Sequence, residues 1–171
     1  SYNQFTGSLP NLQHIENMFE LNLDHNQFTG EIPYSYSYFK VQSQITLDNN
    51  QLSGVVPTSL TNLDLYAIFD IHNNHFNFDS LEYIISNSQH YYFNSAPQLN
   101  IPITYTPQGA YGKLSVHAGG TLNNNTYLWY RNNSLYKTIV GDSAFIADAP
   151  GVYFVKVNNA VVTALQLTSD S

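Results

Sequence analysis

Apolar residues recur along the first half of the chain with a spacing that fits neither a lone helix nor a lone strand. Ile15, Met18, Leu21 and Leu23 form one comb, and Leu63, Tyr66, Phe69 and Ile71 form another. Between them Phe39, Gln42, Ile45 and Leu47 repeat the comb with one polar lapse. Each comb ends three residues before an asparagine: Asn26, Asn50 or Asn74. The block Asn3-Gln4-Phe5-Thr6-Gly7-Ser8-Leu9-Pro10 returns as Asn26-Gln27-Phe28-Thr29-Gly30-Glu31-Ile32-Pro33, then as Asn50-Gln51-Leu52-Ser53-Gly54-Val55-Val56-Pro57. A decayed copy follows at Asn74-His75-Phe76-Asn77-Phe78, so the asparagines lie 23, 24 and 24 residues apart. A fixed period of this length marks a solenoid, whose coils bury their apolar faces against one another.

The pattern assigns roles within each coil. Leu21-x-Leu23 predicts a short strand with alternate side chains inward. The asparagine amide can bond turn backbone groups that have no ladder partner, which makes Asn26, Asn50 and Asn74 structural. Because an open coil end would face water, further repeats are expected before Ser1. Ser80-Leu81-Glu82-Tyr83-Ile84-Ile85 is expected to close the array.

From about residue 99 the period changes to two. Leu99–Tyr105, Lys113–His117, Thr126–Tyr130, Leu135–Ile139, Ala144–Ile146 and Gly151–Val157 read as strands. A last strand, Ala160–Leu167, is expected to pair with Gly151–Val157 through Asn158-Asn159. Short strands at this spacing predict a β-sandwich. The chain divides into repeats over 1–85, a connector over 86–98 and a sandwich over 99–171. His90-Tyr91-Tyr92-Phe93, within the connector, is expected to join the two domains.

The comb with its N-x-x-(T/S)-G-x-x-P block resembles the plant-like subtype of the leucine-rich-repeat family. Trp129 within Trp129-Tyr130-Arg131-Asn132, and Tyr153 within Gly151-Val152-Tyr153, resemble the core tryptophan and the tyrosine corner of immunoglobulin-like domains. Val155 stands where that family often has cysteine, and Leu114 or Val116 is the expected facing partner. The resemblance implies a mixed fold, a leucine-rich-repeat solenoid followed by an all-β immunoglobulin-like sandwich. The pairing of cysteine-free sandwich and repeats is similar to large secreted surface proteins of Bacteroidetes-type bacteria. That similarity implies a longer, exported polypeptide of the kind that carries a C-terminal sorting domain as type IX secretion cargo.

Composition adds limits. Charged residues make up only 10% of the chain, and there is no cysteine, so disulfides, thiolate metal sites and cysteine nucleophiles are excluded. Residues 1–85 hold nine acids against one base, and residues 86–171 hold three acids against four bases. The acidic front half repels phosphate backbones, which argues against a nucleic-acid partner. No apolar run approaches the ~20 residues of a membrane span.

The repeat period aligns outward side chains into rows on the concave face, the usual binding surface of leucine-rich repeats. Ser1, Asp24, Asp48 and His72 form one row, and Asn22, Thr46 and Asp70 the next. Glu20, Gln44 and Ile68 run beside them, with Tyr2, His25, Asn49, Asn73 and Gln4, Gln27, Gln51, His75 outside. Asp24, Asp48, Asp70, His72, His25 and Asn49 are therefore the candidate ligand-binding residues. Asp24, Asp48 and His72 fall short of a six-ligand Ca²⁺ cage, and the His72-x-x-His75 pair lacks further zinc ligands, so no metal or cofactor is expected. Tyr34, Tyr36, Tyr38 and Phe39 are expected to pack the convex side, with Tyr36 and Phe39 in consensus apolar places; stacking on sugar rings is the alternative.

Hydrolase, phosphate-loop and dinucleotide motifs are absent from the sequence, so no catalytic residue is assigned. Asn124-Asn125-Thr126 and Asn132-Asn133-Ser134 fit the N-glycosylation acceptor pattern, which in a bacterial protein would stay bare. The expected function is a non-catalytic, secreted or cell-surface adhesion region that recognises extracellular protein or glycan. One alternative is a set of accessory modules of a secreted hydrolase whose catalytic domain lies elsewhere; another, an ice-binding repeat surface, needs flat ranks of threonine, whereas the rows here hold Asp, Asn and Gln.

Overall fold

The computed structural model describes residues 3–12, 18–39, 43–63, 66–88 and 92–171. Ser1, Tyr2, Ile15, Gln42, His90 and Tyr91 lie outside them. The first half forms two parallel sheets. One contains β1 (Thr6–Ser8), β3 (Gln27–Gly30) and β5 (Gln51–Leu52) in that spatial order. The other runs β2 (Glu20–Asn22), β4 (Gln44–Thr46), β6 (Ile68–Asp70) and β7 (Tyr92–Asn94). The convex side carries single 3₁₀ segments, Tyr34–Tyr38 and Thr58–Asn62, and then the helix α1, Phe78–Asn87. Asn77 caps α1 by accepting from the Asp79 amide at 3.0 Å, while Phe78, Leu81 and Ile84 turn its apolar face inward.

The inward comb builds a continuous core. Ile45, Leu47, Leu52, Phe69, Ile71 and Phe76 are buried on neighbouring coils. Between coils runs a ladder of side-chain amides. Oδ1 of Asn26, Asn50 and Asn74 accepts from the backbone N–H two places after the previous rung, that of Phe5, Phe28 and Leu52 at 3.2, 3.0 and 2.9 Å. The Nδ2 of Asn50 donates to the Leu47 carbonyl of its own coil and to the Leu23 carbonyl of the coil before, both at 3.0 Å. Asn74 does the same to Ile71 and Leu47. Gly7, Gly30 and Gly54, four residues after successive rungs, have φ of +89°, +82° and +84°, which explains the recurring glycine.

This ladder corrects the expected end of the array. The stretch 86–98, read as a connector, supplies β7, which pairs in parallel with β6, and one further rung. Gln98, 24 residues after Asn74, accepts from the Phe76 amide at 3.0 Å and donates to Ser95 and Ile71 carbonyls at 2.7 and 3.0 Å. Pro97 precedes it where His25, Asn49 and Asn73 have φ of +51°, +54° and +50°. Proline cannot adopt that left-handed turn, and the longer glutamine side chain makes the same bonds from a different backbone path. Phe93 stacks on Phe69 with ring centroids 5.6 Å apart, inside the repeat, and Tyr92 is exposed. Both belong to the repeat sheet through β7.

The second half holds two antiparallel sheets. β8 (Ile103–Thr106), β9 (Lys113–Val116) and β12 (Ala144–Ile146) form one, with β9 central. β10 (Asn125–Arg131), β11 (Ser134–Val140), β13 (Tyr153–Asn159) and β14 (Gln166–Thr168) form the other, in the order β11-β10-β13-β14. Trp129 of β10 is fully buried opposite Val155 and meets Phe145 of β12 edge-on at 4.8 Å. Phe145 in turn lies opposite Leu114. The Tyr153 hydroxyl donates to the Ala149 carbonyl at 2.7 Å. The final hairpin departs from the expected two-residue turn: Asn158 pairs with Gln166, leaving seven residues between. Buried Asn159 ends the strand because its Oδ1 accepts from Val161 and Val162, which folds the chain away from the sheet.

The two halves meet through carboxylates of α1. Glu82 Oε1 accepts from the Thr121 amide at 2.9 Å and from Asn159 and Asn124 side chains at 2.5 and 3.4 Å. Asn159 continues to buried Asn125 at 2.8 Å. Asp79 accepts from the Gly120 amide at 3.1 Å and lies 3.3 Å from His117 Nε2. Gly119 and Gly120 have φ of +70°, and a Cβ at either would fall 2.7 Å from α1 side-chain atoms, so only glycine fits. Burial alone would raise the pKa of Glu82, but the bonds from Asn159, Thr121 and Asn124 outweigh it and hold the carboxyl below its ordinary value.

Asn50→Ala and Gln98→Ala should each orphan buried backbone groups and cost about 1–3 kcal/mol. Urea midpoints measure this, and an unshifted midpoint for Gln98→Ala would remove residue 98 from the ladder. The lowered pKa of Glu82 means its contribution is complete above the ordinary glutamate range, ~4.3, and is lost as pH falls through the folded value. With the intrinsic pH dependence of exchange divided out, protection of the Thr121 amide should therefore fall in acid in the native chain, and Glu82→Gln should flatten that dependence. A Glu82→Gln profile with the same acid limb would assign the transition to another group.

Candidate functional site

Parallel pairing converts the repeat period into a surface. Glu20, Gln44, Ile68 and Tyr92 stand opposite one another across β2, β4, β6 and β7, and so do Asn22, Thr46, Asp70 and Asn94. Their outward side chains form rows with steps of about 4.8 Å. Just beyond the strands, Asp24, Asp48 and His72 continue the surface, and the turn residues His25, Asn49 and Asn73 follow. Asparagine and histidine tolerate positive φ better than most residues, which suits them to these turns.

The structure brings the sequence-predicted residues into one chain of contacts. Asp24 Oδ2 lies 2.9 Å from His25 Nδ1, and Asp48 Oδ2 lies 3.8 Å from that same nitrogen. On its other side Asp48 Oδ2 is 3.9 Å from His72 Nε2. His72 Nδ1 is 2.6 Å from Asp70 Oδ1. The ring thus turns Nδ1 towards Asp70 and Nε2 towards Asp48. Asn49 donates to Asp48 Oδ2 at 2.6 Å and accepts from Asn73 at 3.0 Å. Asp48 is the most buried acid of the row at 7% exposure, with Asp24, Asp70, His25 and His72 half-buried around it.

Asn94 completes the row and was missed. Its amide donates to Asp70 Oδ2 at 3.0 Å. The signal was present, since Asn94 lies 24 residues after Asp70 and exposed Tyr92 lies 24 after Ile68. Reading 86–98 as a connector hid both. On the convex side Tyr36 and Phe39 are buried as expected. Tyr34 and Tyr38 are instead exposed and meet each other edge-on at 5.8 Å, because the 3₁₀ turn directs Ser35 and Tyr36 to the core.

Chemically the surface offers carboxylate and imidazole edges, each already oriented by a neighbour. Among the described residues, Asp24, His25 and Asp48 form one group able to converge on a cation, and Asp48, Asp70 and His72 another, with ligand atoms within 4.8 Å. Each group supplies three side chains, fewer than a Ca²⁺ shell requires.

The Leucine Rich Repeat family matches at residues 17–39 and 43–63, so this part of the chain is a leucine-rich-repeat segment. No curated protein matches. Among solved structures, a plant ice-binding protein is 25% identical with a TM-score of 0.47, covering 57% of this chain and 31% of that one. The structure titled PEPR1-AtPEP1 is 20% identical with a TM-score of 0.45, covering 56% of this chain and 14% of its own. The chain thus spans less than a third of either.

Proposed function

We propose that this chain is a non-catalytic recognition region of a secreted or cell-surface protein. The concave face of its repeats binds a cationic segment of a partner protein, and an immunoglobulin-like sandwich serves as a rigid mount. The observation that carries this reading is the unbroken row Asp24–His25–Asp48–His72–Asp70–Asn94 across adjacent coils. Its carboxylates are held in place before any partner arrives, which lowers the entropy lost on binding. No lysine or arginine occupies the outward rows among the described residues. Exposed Ile68 and Tyr92 flank the acids and supply apolar contact, with tyrosine a frequent anchor in protein interfaces.

The immunoglobulin-like assignment draws support from the layered arrangement. A three-stranded sheet with β9 central faces a four-stranded sheet with β10 and β13 central, and Trp129 lies between them. The Tyr153–Ala149 bond matches a tyrosine corner, a hydroxyl bonded to backbone a few residues upstream. An exported location fits a surface rich in uncharged amides and hydroxyls, with few charged residues.

The test uses lysine- and arginine-rich peptides beside neutral oligosaccharides, with binding read by biolayer interferometry. Asp48→Asn with Asp70→Asn keeps the shape of the row and removes two charges. Cationic peptides should bind the native chain with salt-sensitive affinity and the double variant at least tenfold more weakly, about 1.4 kcal/mol. Affinity that survives this change and falls with Tyr34→Ala and Tyr38→Ala would move recognition to the convex side. A preference for neutral oligosaccharides would replace the protein partner with a glycan.

A further inference from the structure

The sequence holds two N-x-(S/T) acceptor sites, at Asn124 and Asn132, and the fold treats them differently. Asn132 is exposed at the tip of the β10–β11 hairpin, where Arg131 pairs with Ser134. Asn132 and Asn133 have φ of +49° and +66°, the conformation of a two-residue hairpin turn that asparagine tolerates. Two bonds fix Asn132: its backbone N–H donates to the Val152 carbonyl at 2.9 Å, and its Oδ1 accepts from the Val152 N–H at 3.0 Å. Because a backbone N–H can bond only to the amide oxygen, these contacts decide which end of the side chain is Nδ2. That nitrogen bonds to no protein group among the described residues, and it is the atom a glycan would modify.

Asn124 has the opposite arrangement. It is half-buried in the seam between the two halves, its Nδ2 donates to Glu82 Oε1 at 3.4 Å, and fully buried Asn125 follows it. A sugar on that nitrogen would occupy the place of the Glu82 carboxylate and force the seam apart. A sugar on Asn132 would leave both Val152 bonds intact. It would also sit at the far end of β10 from Asn125, about 20 Å away at ~3.3 Å per residue.

We propose that Asn132 is an N-glycan acceptor site and that Asn124 is not, when the chain crosses a secretory membrane that carries an oligosaccharyltransferase. The co-reactant is an oligosaccharide linked through pyrophosphate to a polyprenyl lipid. The Asn132 Nδ2 attacks the anomeric carbon, an N–C bond forms and one amide proton is lost. The anomeric C–O bond breaks, and its electron pair leaves with the lipid pyrophosphate. This inference is independent of the concave face, so it stands or falls apart from the binding proposal.

The experiment expresses the full chain behind a cleavable export signal in insect cells and pools lumenal and secreted protein. Intact mass before and after peptide N-glycosidase, with peptide mapping, reads occupancy at each asparagine. One glycan on Asn132 in most molecules is expected. Asn132→Gln and Ser134→Ala should each abolish it, and Asn124→Gln should leave the mass shift unchanged. Unmodified Asn132 in this pool overturns the proposal, as does folded protein carrying sugar on Asn124.

Discussion

A primary amide is both donor and acceptor, and the first half of this protein depends on that property. Every coil must turn between its two strands, and the turn leaves backbone N–H and C=O groups facing a neighbour at the wrong height for sheet pairing. One side chain per coil closes the gap, accepting from an N–H of the preceding coil and donating to carbonyls of its own coil and of the one before. Without such a group the apolar comb could still collapse, but its buried turns would carry unpaired polar atoms. The spacing of the coils, the alignment of the strands and the rows on their outer face all follow from it.

The candidate surface inherits its order from this scaffold. Side chains that share a row do so because their strands are in register, and register is set by the amide rungs beneath. The acids are consequently brought closer than like charges favour, and the two histidines and Asn49 are interleaved where the repulsion would be greatest. Asp48 illustrates the balance, buried between neighbours on both sides and bonded to the residue that follows it. The seam to the second half uses the same chemistry with different atoms, since Glu82 is satisfied by amides, and Asp79 by the Gly120 amide beside the His117 ring.

Much of this was legible in the sequence, and what was missed shares a cause. The comb, the asparagine rungs and the Asp24–Asp48–His72 row are periodic, and periodic features can be read without a structure. Gln98 was invisible because it fills the asparagine's chemical role under another name, with proline where the turn residue should be. Once that rung was lost, β7 and Asn94 went with it. The Glu82–Asn159 bond joins residues 77 apart in the chain, and no local pattern announces such a pairing. The last hairpin was misread for a related reason: Asn159 looked like a turn residue, whereas its side chain serves the interior. Tyr34 and Tyr38 were judged by type, and their exposure depends on which side of a short 3₁₀ turn they occupy.

The rungs also determine where the chain can change length. Asn3 and Asn26 are one residue closer than later rungs, yet Asn26 still reaches the backbone two places after Asn3. The rung blocks 3–10 and 26–33 align residue for residue, so the shorter spacing falls outside them. Whole coils can be duplicated between Asn26 and Asn74, because each rung reads only its immediate neighbours. After Gln98 the same copying fails, since Pro97 cannot rebuild the left-handed turn that a further identical coil would inherit. Growth of this array by copying is therefore closed where the second half begins.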